Sequence, residues 1–520
     1  MAQRRTFIEP HLRLPAPIRI PNNVRSACKN LDNLDHLTTS GRPQGFPGCQ
    51  RPPDHRPAGP GKGWPRLAVP GPSEPRKRAI RCRPAQAHNG HGQGTDAGAG
   101  KVLAKRAGSP GAVPPRARIP GLTAASAASH EGDGPVEGTL ARVKPAYGGG
   151  SLVNLAASIA GHFGVPSAHP GLDASLRPEL AGAERVVFLV CDGLGASQFE
   201  AHLSAGALPD LRRLLASGDA WQCRITSVFP STTAAALSSI HTGLTPAEHG
   251  YLGYSVWLDD GPGVTDLLLA RDRQTKEARP APAGPASIFA RLSQAGVRCR
   301  VVNAADFAES ALSRWHFAGA EYRRWYSANT LPSQIADAVD ASGPTYVWAY
   351  WPAHDPVCHV HGPASSEAAD ELAAFDGTLR RLIARLPHDG RTVLLIAGDH
   401  GHRRLDPDQA VDLGAWSPQP PAGDRTATYL RTEPGLAEAL ASFAEVTPMP
   451  RVWEDGWFGG PPADPSFRVR TGDLLAVARE GRQFVWHPGG AGQTGSLLWR
   501  GGHGGWAADE MLVPLIAVRL

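Results

Sequence analysis

The sequence predicts an α/β fold. A doubly wound, mostly parallel sheet is flanked by helices, carries an inserted cap subdomain, and follows a disordered N-terminal extension. Three observations carry that expectation. Short apolar runs such as Val186–Cys191 (Val-Val-Phe-Leu-Val-Cys) stop at turn residues, as strands buried on both faces do. Segments with helical spacing separate those runs, so strands and helices alternate. Residues 1–145 show neither period and are dense in Pro, Gly and Arg.

The totals bound the possibilities. A chain of 520 residues holds about three domains, or one large α/β domain with insertions. The net charge of +5 conceals an asymmetry, since residues 1–145 carry 23 Lys and Arg against 9 Asp and Glu, leaving 30 against 39. The basic stretch buries too little apolar surface to offset chain entropy, so disorder is expected over 1–145. The remainder is acidic, and no stable nucleic-acid partner is expected. The seven cysteines, at 28, 49, 82, 191, 223, 299 and 358, include no Cys-x-x-Cys pair. Such a set argues against a disulfide framework and for a reducing compartment. No apolar run approaches the ~20 residues of a membrane helix. The start, Met-Ala-Gln-Arg-Arg-Thr-Phe-Ile-Glu-Pro, lacks a signal peptide's apolar core. A soluble, cytoplasmic protein is the expectation.

One folded domain is expected over 146–520. Ser151–His162 has helical spacing through Leu152, Leu155 and Ile159, and Val186–Cys191 is the first strong strand. Phe199–Leu215 reads as an amphipathic helix. The alanines from Thr233 favour another helix, which Gly243 can end. Helices near Ser287–Ala295 and Gln334–Val339 precede strands at Cys299–Asn303 and Pro344–Tyr350. After Gly362, the residues Ala368, Leu372, Phe375, Leu379, Leu382 and Leu386 recur at spacings of three and four. Arg391–Ala397 is a strand, 402–495 reads as the cap-like insertion, and Leu512–Val518 is the final strand.

Four stretches place metal-ligand residue types just after or before strands. These are Asp192, the Asp355-Pro-Val-Cys-His359 loop, Asp399-His400, and His503 within Arg-Gly-Gly-His-Gly-Gly. Open α/β sheets place their sites at the carboxyl ends of strands. Three Asp, three His and a hydroxyl can hold two divalent ions, and mixed imidazole and carboxylate ligation suits zinc. Two ions roughly 4 Å apart clamp the attacking and departing oxygens of a phosphoryl displacement. The hydroxyls are those of Phe229-Pro-Ser-Thr-Thr-Ala-Ala-Ala236, at a helix start where an anion is favoured. Each signal alone has a plain alternative, since Asp-Gly after a strand is commonly a turn and a His between glycines a loop residue. Together they point to phosphoryl chemistry.

At this point the chain resembles the type I phosphodiesterase/nucleotide pyrophosphatase family of the alkaline phosphatase superfamily. The order Asp-Gly, Phe-Pro-Ser-Thr-Thr, Thr-Gly-Leu-x-Pro-x-x-His-Gly, Asp-x-x-x-His-x-His-Gly-Pro, Asp-His-Gly and Gly-x-His-Gly carries the resemblance, from Val186 to Leu520. It implies an alkaline-phosphatase-like catalytic domain that hydrolyses phosphodiester or nucleotide pyrophosphate bonds in small substrates. It implies Thr233 as nucleophile, with Thr232 and Ser231 as the local competitors. Asp192, Thr233, Asp399 and His400 would hold one zinc, and Asp355, His359 and His503 the other. A phosphothreonine would form and then be hydrolysed at the second zinc. One departure stands out. Members that cleave nucleotide diesters have an asparagine where this chain has Tyr254, whose phenol would donate to the phosphate instead.

Two rivals remain. The same site could serve phosphomonoesters, phosphonates or sulfate esters, although no lysine or arginine motif marks a place for a monoester's extra charge. A non-catalytic metal-binding protein is the rival from another class.

Overall fold

The computed structural model describes residues 140–520 apart from 259–262, 340–341 and 489–497. The extension expected over 1–145 lies outside the described residues as far as 139. Residues just beyond already belong to the fold, for Arg142 bridges Ala507 and the Val143 amide donates to the Trp506 carbonyl.

A seven-stranded sheet forms the centre. Its strands are β1 (Arg185–Cys191), β2 (Ala220–Thr226), β3 (Arg298–Ala304), β4 (Glu321–Trp325), β5 (Thr345–Trp351), β6 (Thr392–Gly398) and β7 (Leu512–Arg519). The spatial order is β2-β7-β6-β1-β5-β3-β4, and only β7 runs against the others. β1, β5 and β6 are buried along their whole length, which is why they read as unbroken apolar runs. Alternate residues serve two cores. Val186, Phe188 and Val190 join Trp348 and Leu395 on one face, while Val187, Leu189 and Cys191 join Val347 and Ile396 on the other. The two strands that sequence reading passed over, β2 and β4, are the sheet's edges. Their half-exposed, polar-rich sequences give no apolar run.

Two expectations are corrected. Phe199–Leu215 is two helices, Ala196–Ala205 and Pro209–Ser217, because Gly206 ends the first in the left-handed conformation and Pro209 opens the second. Asp355–His359 is not a loop but part of the helix His354–His361.

The stretch expected as a cap builds two small sheets. Ala422–Gly423, Ala427–Leu430, Leu474–Ala478 and Ala444–Pro448 form an antiparallel one. Arg403–Asp412 pairs with Gly481–Val485 on one side and Gly501–Gly502 on the other. Tyr429, Trp453 and Phe458 from this stretch share one apolar cluster with Phe229, Tyr251 and Trp257. The insertion is thereby fixed against the segment that bears Thr233.

Helix α1 (Leu152–His162) and helix α2 (Thr233–Thr242) cover one face of the sheet. Inside α2, His241 is fully buried among Phe289, His316, Phe317 and Trp348, and neither ring nitrogen has a hydrogen-bond partner among the described residues. Burial pushes its pKa down to about 3, against 6.5 for an ordinary histidine. A depressed folded pKa gives stability that is present above pH 6.5 and lost as the pH falls towards 3. His241→Leu is expected to stabilise the chain at pH 7 by roughly 1–3 kcal/mol, the cost of leaving a buried polar group unpaired. It is also expected to flatten the loss of Tm between pH 6.5 and 4. Thermal melts across that range check this, and an unchanged pH slope would contradict it.

Candidate functional site

The four stretches converge at one edge of the sheet. Asp192 follows β1 and Asp399 follows β6, and the register pairs Cys191 with Gly398, so the two carboxylates emerge side by side. Cys191 also pairs with Trp351 at the end of β5. The helix His354–His361 begins three residues later, and its i,i+4 spacing puts Asp355 and His359 on one face. β7 runs backwards, which brings its leading segment, with His503, to the same edge. Arg403 pairs antiparallel with Gly502, so the next positions, His402 and His503, also face each other.

Two donor groups result. Asp192, Asp399 and His400 form one, and Asp355, His359, His402 and His503 form the other, with ligand atoms within 4.8 Å of one another in each. The stacked rings of His400 and His503, 3.8 Å apart, join the two groups.

Each side chain is held by one end and offers the other. Nδ1 of His359, His400 and His503 faces the carbonyls of Gly501, Gly401 and Ser231 at 2.9, 3.2 and 3.1 Å. A carbonyl can only accept, so Nδ1–H donates and Nε2 is left as a bare acceptor. Asp399 Oδ1 accepts from the Gly193 and His400 amides at 3.0 Å each. Asp192 Oδ2 accepts from the Tyr350 hydroxyl. The other oxygens, Asp192 Oδ1 and Asp399 Oδ2, are buried with no hydrogen-bond partner among the described residues, and His400 Nε2 stands 3.5 and 3.6 Å from them.

The electrostatics call for positive charge. Burial, then the carboxylates of Asp399 and Asp355, push the Asp192 carboxyl well above the usual range. Burial also raises Asp399, with His400 opposing. Burial alone would raise Asp355 too, but His359, His402 and His503 outweigh it and hold it well below. Unpartnered buried oxygens among crowded carboxylates and bare imidazole nitrogens fit divalent cations. They fit no neutral packing role.

The three adjacent hydroxyls part company. Ser231 donates to the Gly505 carbonyl at 2.7 Å and Thr232 to Asp424 Oδ1 at 2.9 Å. Thr233 Oγ1 lies 3.0 Å from His400 Nε2, which itself stands 3.5 Å from Asp192 Oδ1. Thr233 is also the first residue of α2, where backbone amides are free of helix partners. Its hydroxyl is the one that reaches the donor groups.

Residues 186–506 match the family model for type I phosphodiesterase / nucleotide pyrophosphatase. The chain belongs to that family. Its members are hydrolases of phosphate esters and anhydrides, and so is this chain. Among solved structures, an inactive form of murine ectonucleotide pyrophosphatase / phosphodiesterase 5 in complex with AMP is 16% identical, with a TM-score of 0.50. That match covers 64% of this chain and 87% of the murine one, and at such identity it shows a common fold. Phosphonoacetate hydrolase from Sinorhizobium meliloti 1021, in complex with phosphonoformate, is 20% identical over 64% of this chain and 89% of its own, with a TM-score of 0.47. No curated protein matches the chain significantly.

The family's pattern leaves several neighbours of the site unannounced. His402, two places after His400, is absent from the ligand set that the resemblance implies, yet its Nε2 lies 2.8 Å from Asp355 Oδ1. Gly193 is required beside it, because φ is +71° and a Cβ there would meet His402 Nε2 at 2.7 Å. Tyr254 reaches Asp424 through its backbone amide at 3.3 Å and lies 5.9 Å from the Arg273 guanidinium carbon. Among the described residues no hydrogen bond joins it to Thr233. Asp424, Arg273 and Arg425 carried no signal in the sequence. Burial pushes the Asp424 carboxyl up to about 6. Arg273 and Arg425 lie near the site without forming a lysine or arginine motif. They come from segments about 150 residues apart, so no motif could display them.

Proposed function

We propose that the chain is a two-metal phosphodiesterase or nucleotide pyrophosphatase with Thr233 as nucleophile. The observation that carries this is Thr233 Oγ1 at 3.0 Å from His400 Nε2, within a set of donors whose free atoms all face inward. Asp192, Thr233, Asp399 and His400 would hold one ion and Asp355, His359 and His503 the other. Imidazole and carboxylate donors suit zinc. When bound, two such ions supply Lewis acidity that neutralises phosphoryl oxygens and lowers the pKa of a nearby hydroxyl.

The chain's residues do the rest. Tyr350 and the Gly193 and His400 amides fix the two carboxylates, so their free oxygens stay aimed. Thr233 gives its hydroxyl proton to water and attacks phosphorus, its Oγ–P bond forms as the ester or anhydride oxygen departs, and the departing oxygen takes a proton from water. Water then cleaves the phosphothreonine and restores the hydroxyl. The free amides at the start of α2 face the charge that builds on the phosphoryl group. Tyr254, beside Asp424 and Arg273, would border the substrate and offer its phenol as a donor.

Arg273 and Arg425 favour a second reading, hydrolysis of phosphomonoesters or phosphonates at the same atoms. Comparing bis(4-nitrophenyl) phosphate with 4-nitrophenyl phosphate, each with and without a chelator, decides between them. The diester is expected to turn over faster, and the chelator to abolish both activities. Activity that survives the chelator would sink the two-metal reading, and a faster monoester would favour the second.

A further inference from the structure

A cleft of about 460 Å³ opens beside Asp424, the hydrogen-bond partner of Thr232. Arg273, Lys276 and Arg425 line it, with Asp424, Phe484 and Trp486 among its other walls. Two contacts tie it to the site. Asp424 accepts from Thr232, the residue before Thr233. On the other side Trp499 lies between Arg425 and His359, its ring 4.0 Å from the guanidinium carbon and 3.7 Å from the imidazole.

The single acid in this lining has both carboxylate oxygens hydrogen-bonded from within. Asp424 Oδ1 takes the Thr232 hydroxyl and Oδ2 the Tyr254 amide, with Arg273 nearby. Gly504 allows the carboxylate this close, since φ is +112° and a Cβ there would lie 2.4 Å from Asp424 Cβ. Arg273, which also lies 3.7 Å from the buried Asp266, together with Lys276 and Arg425 outnumbers these two carboxylates and leaves the cleft positive. Arg273 is anchored on the Ser255 hydroxyl at 2.9 Å and the Pro421 carbonyl at 3.3 Å. Arg425 is anchored on Gln483 Oε1 at 3.2 Å. Both guanidiniums are therefore held in place before a ligand arrives, which lowers the ordering cost of binding.

We propose that this cleft is a subsite for a second anionic group of the substrate, while the phosphoryl group occupies the donor groups beside Thr233. The substrate class is then a small molecule bearing a phosphoryl group and, a few atoms away, a carboxylate or a second phosphate. This rests on the hydrolase reading above and narrows its substrate.

Calorimetry on the full-length, zinc-loaded chain tests it without turnover. The probes are alkylphosphonates, ω-carboxyalkylphosphonates and ω-phosphonoalkylphosphonates of matched chain length. At one length a charged probe is expected to bind roughly tenfold or more tighter than its neutral partner, the scale of a charge-assisted contact. The preferred charged series identifies the second group. Arg273→Gln, Arg425→Gln and the exposed Lys276→Gln are each expected to shrink the preference, and Arg425→Lys to restore part of it. Equal binding of neutral and charged probes at every length overturns the subsite alone. So does a preference that survives both arginine variants. If no phosphonate binds and bis(4-nitrophenyl) phosphate is not hydrolysed, the hydrolase reading falls, and the subsite with it.

Discussion

Thr233→Ala is expected to lower turnover of bis(4-nitrophenyl) phosphate on the order of 10³-fold or more, the scale seen when a covalent nucleophile is deleted. The neighbouring hydroxyls supply the contrast. Thr232→Val and Ser231→Ala are expected to stay within about tenfold of the parent, because neither hydroxyl faces the donors and neither would bond phosphorus. Both side chains do hold structure: Thr232 secures Asp424 and Ser231 secures the Gly505 carbonyl. Their variants therefore report on positioning and Thr233→Ala on chemistry. Acid quenching during turnover adds a direct readout, a mass increase of one 4-nitrophenyl phosphoryl group on the peptide containing Thr233. Retention of more than a tenth of parental turnover by Thr233→Ala would sink the nucleophile assignment. A labelled Thr232 would transfer it to the neighbour.

The sheet and most of the donors were legible in the sequence for one physical reason. Strands buried on both faces need unbroken apolar runs, and such runs announce where they end. Asp192 and Asp399 stand at those ends, so they could be read directly. Asp355 and His359 were readable as residue types but not as a helix face, because Pro356 argues against helix although it is tolerated in a first turn. His402 was harder. Its place depends on the antiparallel pairing of Arg403 with Gly502, a contact between segments about 100 residues apart. The basic cleft was invisible for the same reason. Arg273 and Arg425 meet only after the insertion folds against the Phe229–Trp257 segment, and neither residue belongs to a periodic stretch. Tyr254 stands in a motif that suggests a contact with phosphate, and its backbone amide and ring meet Asp424 and Arg273.

The metal ions are expected to reverse the stability effect of one and the same substitution. The parent chain should bind two zinc ions, and Asp192→Asn should weaken one of them more than roughly 100-fold, beyond what losing a ligand's hydrogen-bond partner costs. Asparagine keeps a carbonyl oxygen for the Tyr350 hydroxyl but removes the charge that faces His400. Without metal the sign inverts. Asp192 is buried beside Asp399 and Asp355, and its folded pKa lies above that of the unfolded chain. Its ionised form therefore costs stability, a cost full above the raised folded pKa, relieved as the pH falls through that pKa and gone below the ordinary carboxylate value. Asp192→Asn removes that cost, so at pH 7 the metal-free variant should melt above the metal-free parent while the zinc-loaded variant melts below the zinc-loaded parent. His402→Gln separates the two positions. His402 meets Asp355, not Asp192, so its loss should weaken only the second ion, by about 10- to 100-fold if it orients that carboxylate. Metal analysis after dialysis at graded free zinc, with paired thermal melts, reads all three outcomes. Two ions bound at parental affinity in both variants would refute the ligand assignment. A metal-free Asp192→Asn that melts below the metal-free parent would refute the electrostatic account of why these buried carboxylates need a cation.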